Sequence, residues 1–266
     1  MDVAPAAARS LGSLLERMGD PLDPDAYDWP EPRRRRGPAP HEGLTDDERF
    51  QLTYAAQVEW GTEGTFASLD TARDPLITRF LRTWLDQEVV HGELLARVLR
   101  SDGGRVEPAH VTPAQRRAAR RGRHVNRLAR VALGDDFTAL HMAWGAVNEL
   151  TTLRFYGLLR DRTGSTLLRD VLRDVMAQES LHYAFYRQAA IERLDGNPRG
   201  QRVVRFGLAH LWSPVGVGLR SREDADRLLH GLFEPAPTVV QRIDAAIGTI
   251  PGLAGLDLIG GCLRRA

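Results

Sequence analysis

From residue 45 onward apolar side chains recur every three or four positions, and nowhere do they alternate with period two for long enough to make a strand. The punctuation between the periodic stretches is helical as well. Thr45 followed by Glu48 forms a capping box that opens a first long helix running to about residue 70. Asp74-Pro75 supplies a cap and a proline at the first helical position for a second helix, which ends near Ser101 ahead of Gly103-Gly104. Thr112-Pro113 repeats the device for a third, arginine-rich helix reaching about Leu133. Asp135-Asp136, after Gly134, starts a fourth that closes at Gly164. Ser165 starts a fifth, apolar at Leu168, Leu172, Val175 and Met176, which closes at Gly196. Shorter helices follow, one of them capped by Ser221 with Asp224 three residues on. The pattern predicts an all-α chain in which four or five long helices pack as a bundle over residues 44–266, with a C-terminal helical extension.

Residues 1–43 read differently. They show helical periodicity only around 7–18 and are rich in proline, as in Asp28-Trp-Pro-Glu-Pro-Arg-Arg-Arg-Arg36. They are expected to form an arm over the surface, partly irregular, with Arg33 to Arg36 as a solvated charge run.

Composition narrows the chemistry. The 36 basic residues are all arginines, so every mechanism that needs a lysine (P-loop, Schiff base, kinase-type ATP binding) is excluded. One cysteine, Cys262, cannot make an internal disulfide or a cysteine-ligated metal site, and its isolation suits a reducing cytoplasm. A net charge of +1 gives no general case for nucleic acid. The longest uncharged run, 206–219, contains His210 and Pro214 and is too short to span a bilayer, so no membrane insertion is expected. The N-terminus lacks the basic start and apolar block of a secretory signal.

Two of the long helices carry a Glu-x-x-His step, Glu88–His91 in the second and Glu179–His182 in the fifth. Residues three apart share a helix face, so each step aims a carboxylate and an imidazole at one point. A single step of this kind is weak, and Glu107-Pro-Ala-His110 is a decoy with Pro108 inside it, between helices. The stronger signal is the glutamate one helix earlier in each case. Glu59 lies on the first helix and Glu149 on the fourth. Counted from the turns, Glu59 and Glu88 both stand about 17–20 Å away at roughly 1.5 Å per residue, and Glu149 and Glu179 flank Gly164 symmetrically. Four glutamates and two histidines on one layer of a four-helix bundle are the ligand set of a di-iron or di-manganese carboxylate site. Glu63, one turn beyond Glu59, competes for the first-helix position, and spacing leaves both open.

These residues resemble the soluble acyl-(acyl-carrier-protein) desaturases, a ferritin-like di-iron family. Trp84-Leu-Asp-Gln-Glu88-Val-Val-His91-Gly-Glu-Leu-Leu is similar to that family's W-T-A-E-E-N-R-H-G-D-L-L. Asn148-Glu149-Leu-Thr-Thr152 resembles its Q-E-R-A-T, Gln178-Glu179-Ser-Leu-His182 its D-E-K-R-H, and Ser221 to Leu232 a later helical segment. Leu44-Thr-Asp-Asp47 resembles L-P-D-D, and the family's spacing from there reaches Glu59 rather than Glu63.

The resemblance implies that Glu59 and His91 ligate one iron and Glu149 and His182 the other, with Glu88 and Glu179 bridging. Two Fe ions are the implied cofactor, manganese being an alternative. Thr152 matches a threonine on the oxygen-binding face, and Trp84 is implied to pack behind the ligands. The activity implied is an O₂-dependent desaturation of an acyl chain carried on acyl-carrier protein, with electrons from a ferredoxin-type donor and a homodimer as the expected assembly. The arginine-rich third helix offers an acidic carrier protein a docking strip. An oxygenase acting on a natural-product intermediate and a ferritin-like iron-storage protein are the competing functions. One departure concerns the site itself: the family places a carboxylate before each Glu-x-x-His, whereas this chain has Gln87 and Gln178.

Overall fold

A computed structural model describes residues 10–30, 43–66 and 74–265. Arg33 to Arg36 lie outside the described residues, as does the end of the first long helix. Ten α-helices are present among the described residues: α1 (Leu11–Met18), α2 (Asp46–Phe66), α3 (Pro75–Ser101), α4 (Pro113–Leu133), α5 (Asp135–Arg162), α6 (Thr166–Leu194), α7 (Pro198–Leu211), α8 (Arg222–Phe233), α9 (Pro237–Ile247) and α10 (Ile259–Leu263). No strand occurs among these residues, only an isolated bridge between Val217 and Arg220. No described helix is long and apolar enough to cross a membrane.

The helix starts follow the sequence signals closely. The Thr45 N–H and hydroxyl both donate to Glu48 Oε2, at 2.7 and 2.9 Å, and the Glu48 N–H donates back to Thr45 Oγ1 at 3.2 Å. Asp74 caps α3 by accepting from the Leu76 and Ile77 N–H groups, with Pro75 at the first position. Thr112 and Gln115 close a reciprocal box on α4, and Ser165 caps α6.

The fold is an all-α, ferritin-like bundle in which α2 packs on α3, α5 on α6, and α3 on α6. Two glycines permit the close approach of the partners. A Cβ at Gly92 of α3 would lie 2.6 Å from the Trp60 ring of α2, and one at Gly145 of α5 would collide with the Tyr186 ring of α6. Between α3 and α6, Phe80 stacks on Phe185 with centroids 3.8 Å apart and meets Tyr186 edge-on at 4.7 Å. The C-terminal helices cover one side of this core. Val204 and Leu208 of α7, Leu229, Leu232 and Phe233 of α8, and Ile243 of α9 all join it.

The proline-rich arm contains more structure than its composition suggested. Within it α1 is an amphipathic helix whose Leu11, Leu14, Leu15 and Met18 are buried in the bundle core against α6 and α3. Helix α4 is the opposite case: it has no buried residue, and Val125, Leu128 and Val131 stand exposed beside its arginines.

Candidate metal centre

Every one of the six residues singled out by spacing is buried: Glu59, Glu88, His91, Glu149, Glu179 and His182. Glu63 is exposed, which separates it from Glu59, and the decoy residues Glu107 and His110 are exposed outside any helix. Glu88, Glu149, Glu179 and His182 each present a ligand atom within 4.8 Å of one another, a group that can hold a metal ion. His91 joins through Nδ1, 3.1 Å from Glu179 Oε1, and Glu59 lies against Glu88.

The two imidazoles are held from behind, each by the glutamine of the other Glu-x-x-His helix. His182 Nε2 is 2.7 Å from Gln87 Oε1, and His91 Nε2 is 2.9 Å from Gln178 Oε1. Each glutamine amide donates its N–H groups to backbone carbonyls: Gln87 to Met18 and Gly19 at 2.9 and 3.2 Å, Gln178 to Asp20 at 2.9 Å. Those donations fix which end of the amide faces the ring. The imidazole must therefore donate through Nε2, which leaves the Nδ1 lone pair pointing into the carboxylate cluster.

That arrangement sets acceptors against acceptors. His182 Nδ1 is 3.0 Å from Glu88, 3.4 Å from Glu179 and 3.7 Å from Glu149. Among the described residues His182 Nδ1, Glu88 Oε1 and Glu179 Oε2 are buried with no hydrogen-bond partner. Lone pairs converging in a buried, low-dielectric interior require a cation or extra protons. In the metal-free chain, protons fill the role. Burial, then the neighbouring Glu179, pushes the Glu88 carboxyl up to about 7, and burial pushes Glu149 up to about 8. Burial and then Glu88 hold Glu59 well above the carboxylate range, and burial raises Glu179. Burial also pulls His182 down, but the surrounding carboxylates Glu149, Glu179 and Glu88 outweigh it and lift the ring well above its ordinary value. His91, pulled down by burial and then by His182, falls to about 4. Four carboxylates with two imidazoles form a donor set that could hold a metal ion, and two divalent cations would balance its charge with both imidazoles neutral.

Two further side chains hold the terminal glutamates. The Tyr156 hydroxyl donates to Glu59 Oε1 at 2.5 Å, and Trp84 Nε1–H donates to Glu149 Oε1 at 3.1 Å. Trp84 was expected only to pack; it is a hydrogen-bond donor as well. The Glu and His spacing does not single out Tyr156, although it lies two turns beyond Glu149 on the same face of α5, the signal that points to it. Thr152 is half-buried and shares with Glu59 the wall of a narrow cavity of about 40 Å³. Its other walls are largely apolar: Val58, Phe155, Val215, Leu228, Leu229 and Phe233 among them. No family model, curated protein or solved structure matches the chain.

Proposed function

We propose that this protein is a di-iron oxidoreductase that desaturates an acyl chain, with Glu59 and His91 holding one metal, Glu149 and His182 the other, and Glu88 and Glu179 between them. The observation that carries the proposal is the buried six-residue cluster, with its orphaned acceptors, opening at Glu59 and Thr152 onto an apolar cavity. Carboxylate-rich sites with two imidazoles suit iron or manganese better than zinc or copper. When bound, the iron pair would supply the oxidising power to remove two hydrogens from an unactivated chain, with O₂, two external electrons and two protons completing the balance to alkene and two waters.

The chain's own residues bind, orient and exclude water. Gln87 and Gln178 accept the Nε2 protons and so aim both Nδ1 lone pairs at the cluster, while Tyr156 and Trp84 set the terminal carboxylates. The apolar walls formed by Phe155, Leu229 and Phe233 suit a methylene chain and keep bulk water from the metals. At about 40 Å³ the cavity has room for only a few waters, so α8 side chains must swing aside to seat a chain. Helix α4, with Arg117, Arg120, Arg121, Arg123 and Arg127 exposed and no acidic residue, is the surface that suits an acidic acyl-carrier protein. A ferredoxin-type protein is the fitting electron donor, because no lysine-based or nucleotide-binding motif is present in the sequence.

The test is anaerobic loading with Fe(II), then exposure to O₂, a ferredoxin reducing system and acyl chains on carrier protein, with the chains read by mass spectrometry. A product lighter by two hydrogens supports desaturation. A product heavier by one oxygen transfers the assignment to hydroxylation, and iron uptake without substrate turnover transfers it to storage.

A further inference from the structure

The two glutamines share an anchor outside the bundle's four long helices. All their amide donations go to one stretch of backbone, the carbonyls of Met18, Gly19 and Asp20, where α1 ends. The Gln87 amide reaches all three carbonyls, at 2.9, 3.2 and 3.4 Å, and the Gln178 amide reaches Asp20. Gly19 makes this possible: its φ of 64° turns the chain sharply at the end of α1 and presents successive carbonyls to one side. Four buried apolar residues, Leu11, Leu14, Leu15 and Met18, press α1 on α6 and α3, the two helices that carry the Glu-x-x-His steps.

From this geometry we infer that residues 18–20 form a backbone strap over the metal centre, which positions both imidazoles through Gln87 and Gln178 and so couples docking of α1 to metal occupancy. The inference rests on the reading of the six buried residues as a two-metal site. It accounts for the amides where carboxylates stand in the resembling family. An amide accepts the imidazole proton at one end and donates to the strap at the other. A carboxylate accepts at both ends, and its second oxygen would face bare carbonyls. The strap and the glutamines are positioning groups, since none of them reaches the space between the carboxylates and Nδ1. Linkage makes the coupling reciprocal: metal that needs aimed imidazoles tightens the strap by the factor by which the strap tightens metal.

The test uses the full chain and Mn(II), which binds without redox turnover. Bound Mn(II) is counted by elemental analysis after dialysis, and amide hydrogen exchange is followed by mass spectrometry across residues 11–20. Mn(II) is expected to slow exchange across α1 at least about tenfold, with two ions bound per chain. Gln87→Glu still accepts from His182, so it keeps Mn(II) to within about tenfold, yet exchange across α1 becomes fast and indifferent to Mn(II). Gln178→Glu, opposite a single carbonyl, shows a smaller form of the same change. Leu15→Ala touches no ligand; it loosens α1 from outside and weakens Mn(II) binding by about the factor seen in exchange. If Mn(II) binds but α1 exchanges at one rate with and without it, and Leu15→Ala leaves the affinity unchanged, the strap is ordinary packing and the inference is overturned while the metal site stands. If the native chain binds no Mn(II) or Fe(II), the inference and the two-metal reading fall together.

Discussion

The α2–α3 pair and the α5–α6 pair bring the same three ligand types to the centre, a lone glutamate followed by Glu-x-x-His, but they are not equivalent. Neither pair holds its own ligands in place. Glu59 of α2 is held by Tyr156 of α5, Glu149 of α5 by Trp84 of α3, His91 by Gln178, and His182 by Gln87. The centre is thus cross-pinned, and a single pair folded alone would have a ligand triad without its supports. Differences remain within the cross-pinning. His182 sits among three carboxylates, whereas His91 is in contact with one, Glu179. Glu59 opens onto the apolar cavity, and Glu149 does not line it. The cavity is walled by α2 and α5 alike, so the asymmetry lies in the ligands: of the six only Glu59 reaches the cavity, and His182 is the more enclosed electrostatic anchor.

On the proposed two-metal reading Glu88 and Glu179 are shared, and removing either breaks both halves at once. Glu88 touches His182 across the pairs, and Glu179 lies against both imidazoles. Glu88→Ala and Glu179→Ala are each expected to abolish binding of both metals, whereas Glu59→Ala and Glu149→Ala each retain one ion per chain. Elemental analysis after Fe(II) or Mn(II) loading reads the difference. One ion retained in Glu179→Ala would remove its bridging role.

A smaller effect is expected at the two aromatic supports. Loss of a group that orients a ligand typically costs 10–100-fold in metal affinity. Tyr156→Phe and Trp84→Phe are each expected to fall in that range, because each removes the side-chain donor that holds a terminal glutamate. Competition for Mn(II) against a chelator of known strength measures both. An unchanged affinity in either variant would show that its donor does not orient the glutamate it meets.

The pH response follows from the metal-free protonation pattern. Glu88 and Glu149 titrate near 7 and 8 in the folded chain, above their unfolded value, so the folded state holds more protons in that interval. The raised His182 acts in the same sense above its unfolded value. His91, lowered to about 4, contributes the opposite slope only below about 6.5. Metal-free stability is therefore expected to fall as pH rises from about 6.5 to 8.5, and metal should flatten that fall by replacing the protons. Denaturant melts at several pH values, with and without Mn(II), test the sign. A metal-free chain that gains stability toward pH 8.5 would contradict the buried-carboxylate account.

Much of this centre was legible in the sequence because helices convert spacing into geometry. Cap residues such as Asp74 and Ser165 fixed the helix starts, and a rise of about 1.5 Å per residue then put Glu59 level with Glu88 and Glu149 level with Glu179. What spacing left open between Glu59 and Glu63, burial decides. The strap was not legible. Backbone carbonyls have no sequence signature, and although periodicity around 7–18 marks the short helix α1, its docking comes from tertiary packing that local pattern does not reveal. Cross-pinning was hidden for a related reason: local periodicity identifies the face a side chain occupies, not which distant helix holds it.

The two pairs also differ at the caps of their Glu-x-x-His helices, and here the smallest effect is expected. Asp74 Oδ1 accepts from two N–H groups at the start of α3, at 2.9 and 3.3 Å, while its Oδ2 meets Arg193 of α6 at 2.6 Å, tying the start of one ligand helix to the end of the other. Ser165 accepts a single N–H at 3.3 Å at the start of α6. Ser165→Ala should cost about 0.7 kcal/mol, near the lower end for a lost cap. Asp74→Ala should cost about 1.5 kcal/mol, of which the part-exposed ion pair supplies no more than ~0.5. Because both caps lie several turns from the ligands, neither substitution should change the number of metals bound. Urea melts of the metal-free chain give the two values, and Arg193→Gln isolates the ion pair. A larger loss for Ser165→Ala would mean that α6 depends on its cap more than α3 does, and that the tie between the two ligand helices contributes little to holding the pairs together.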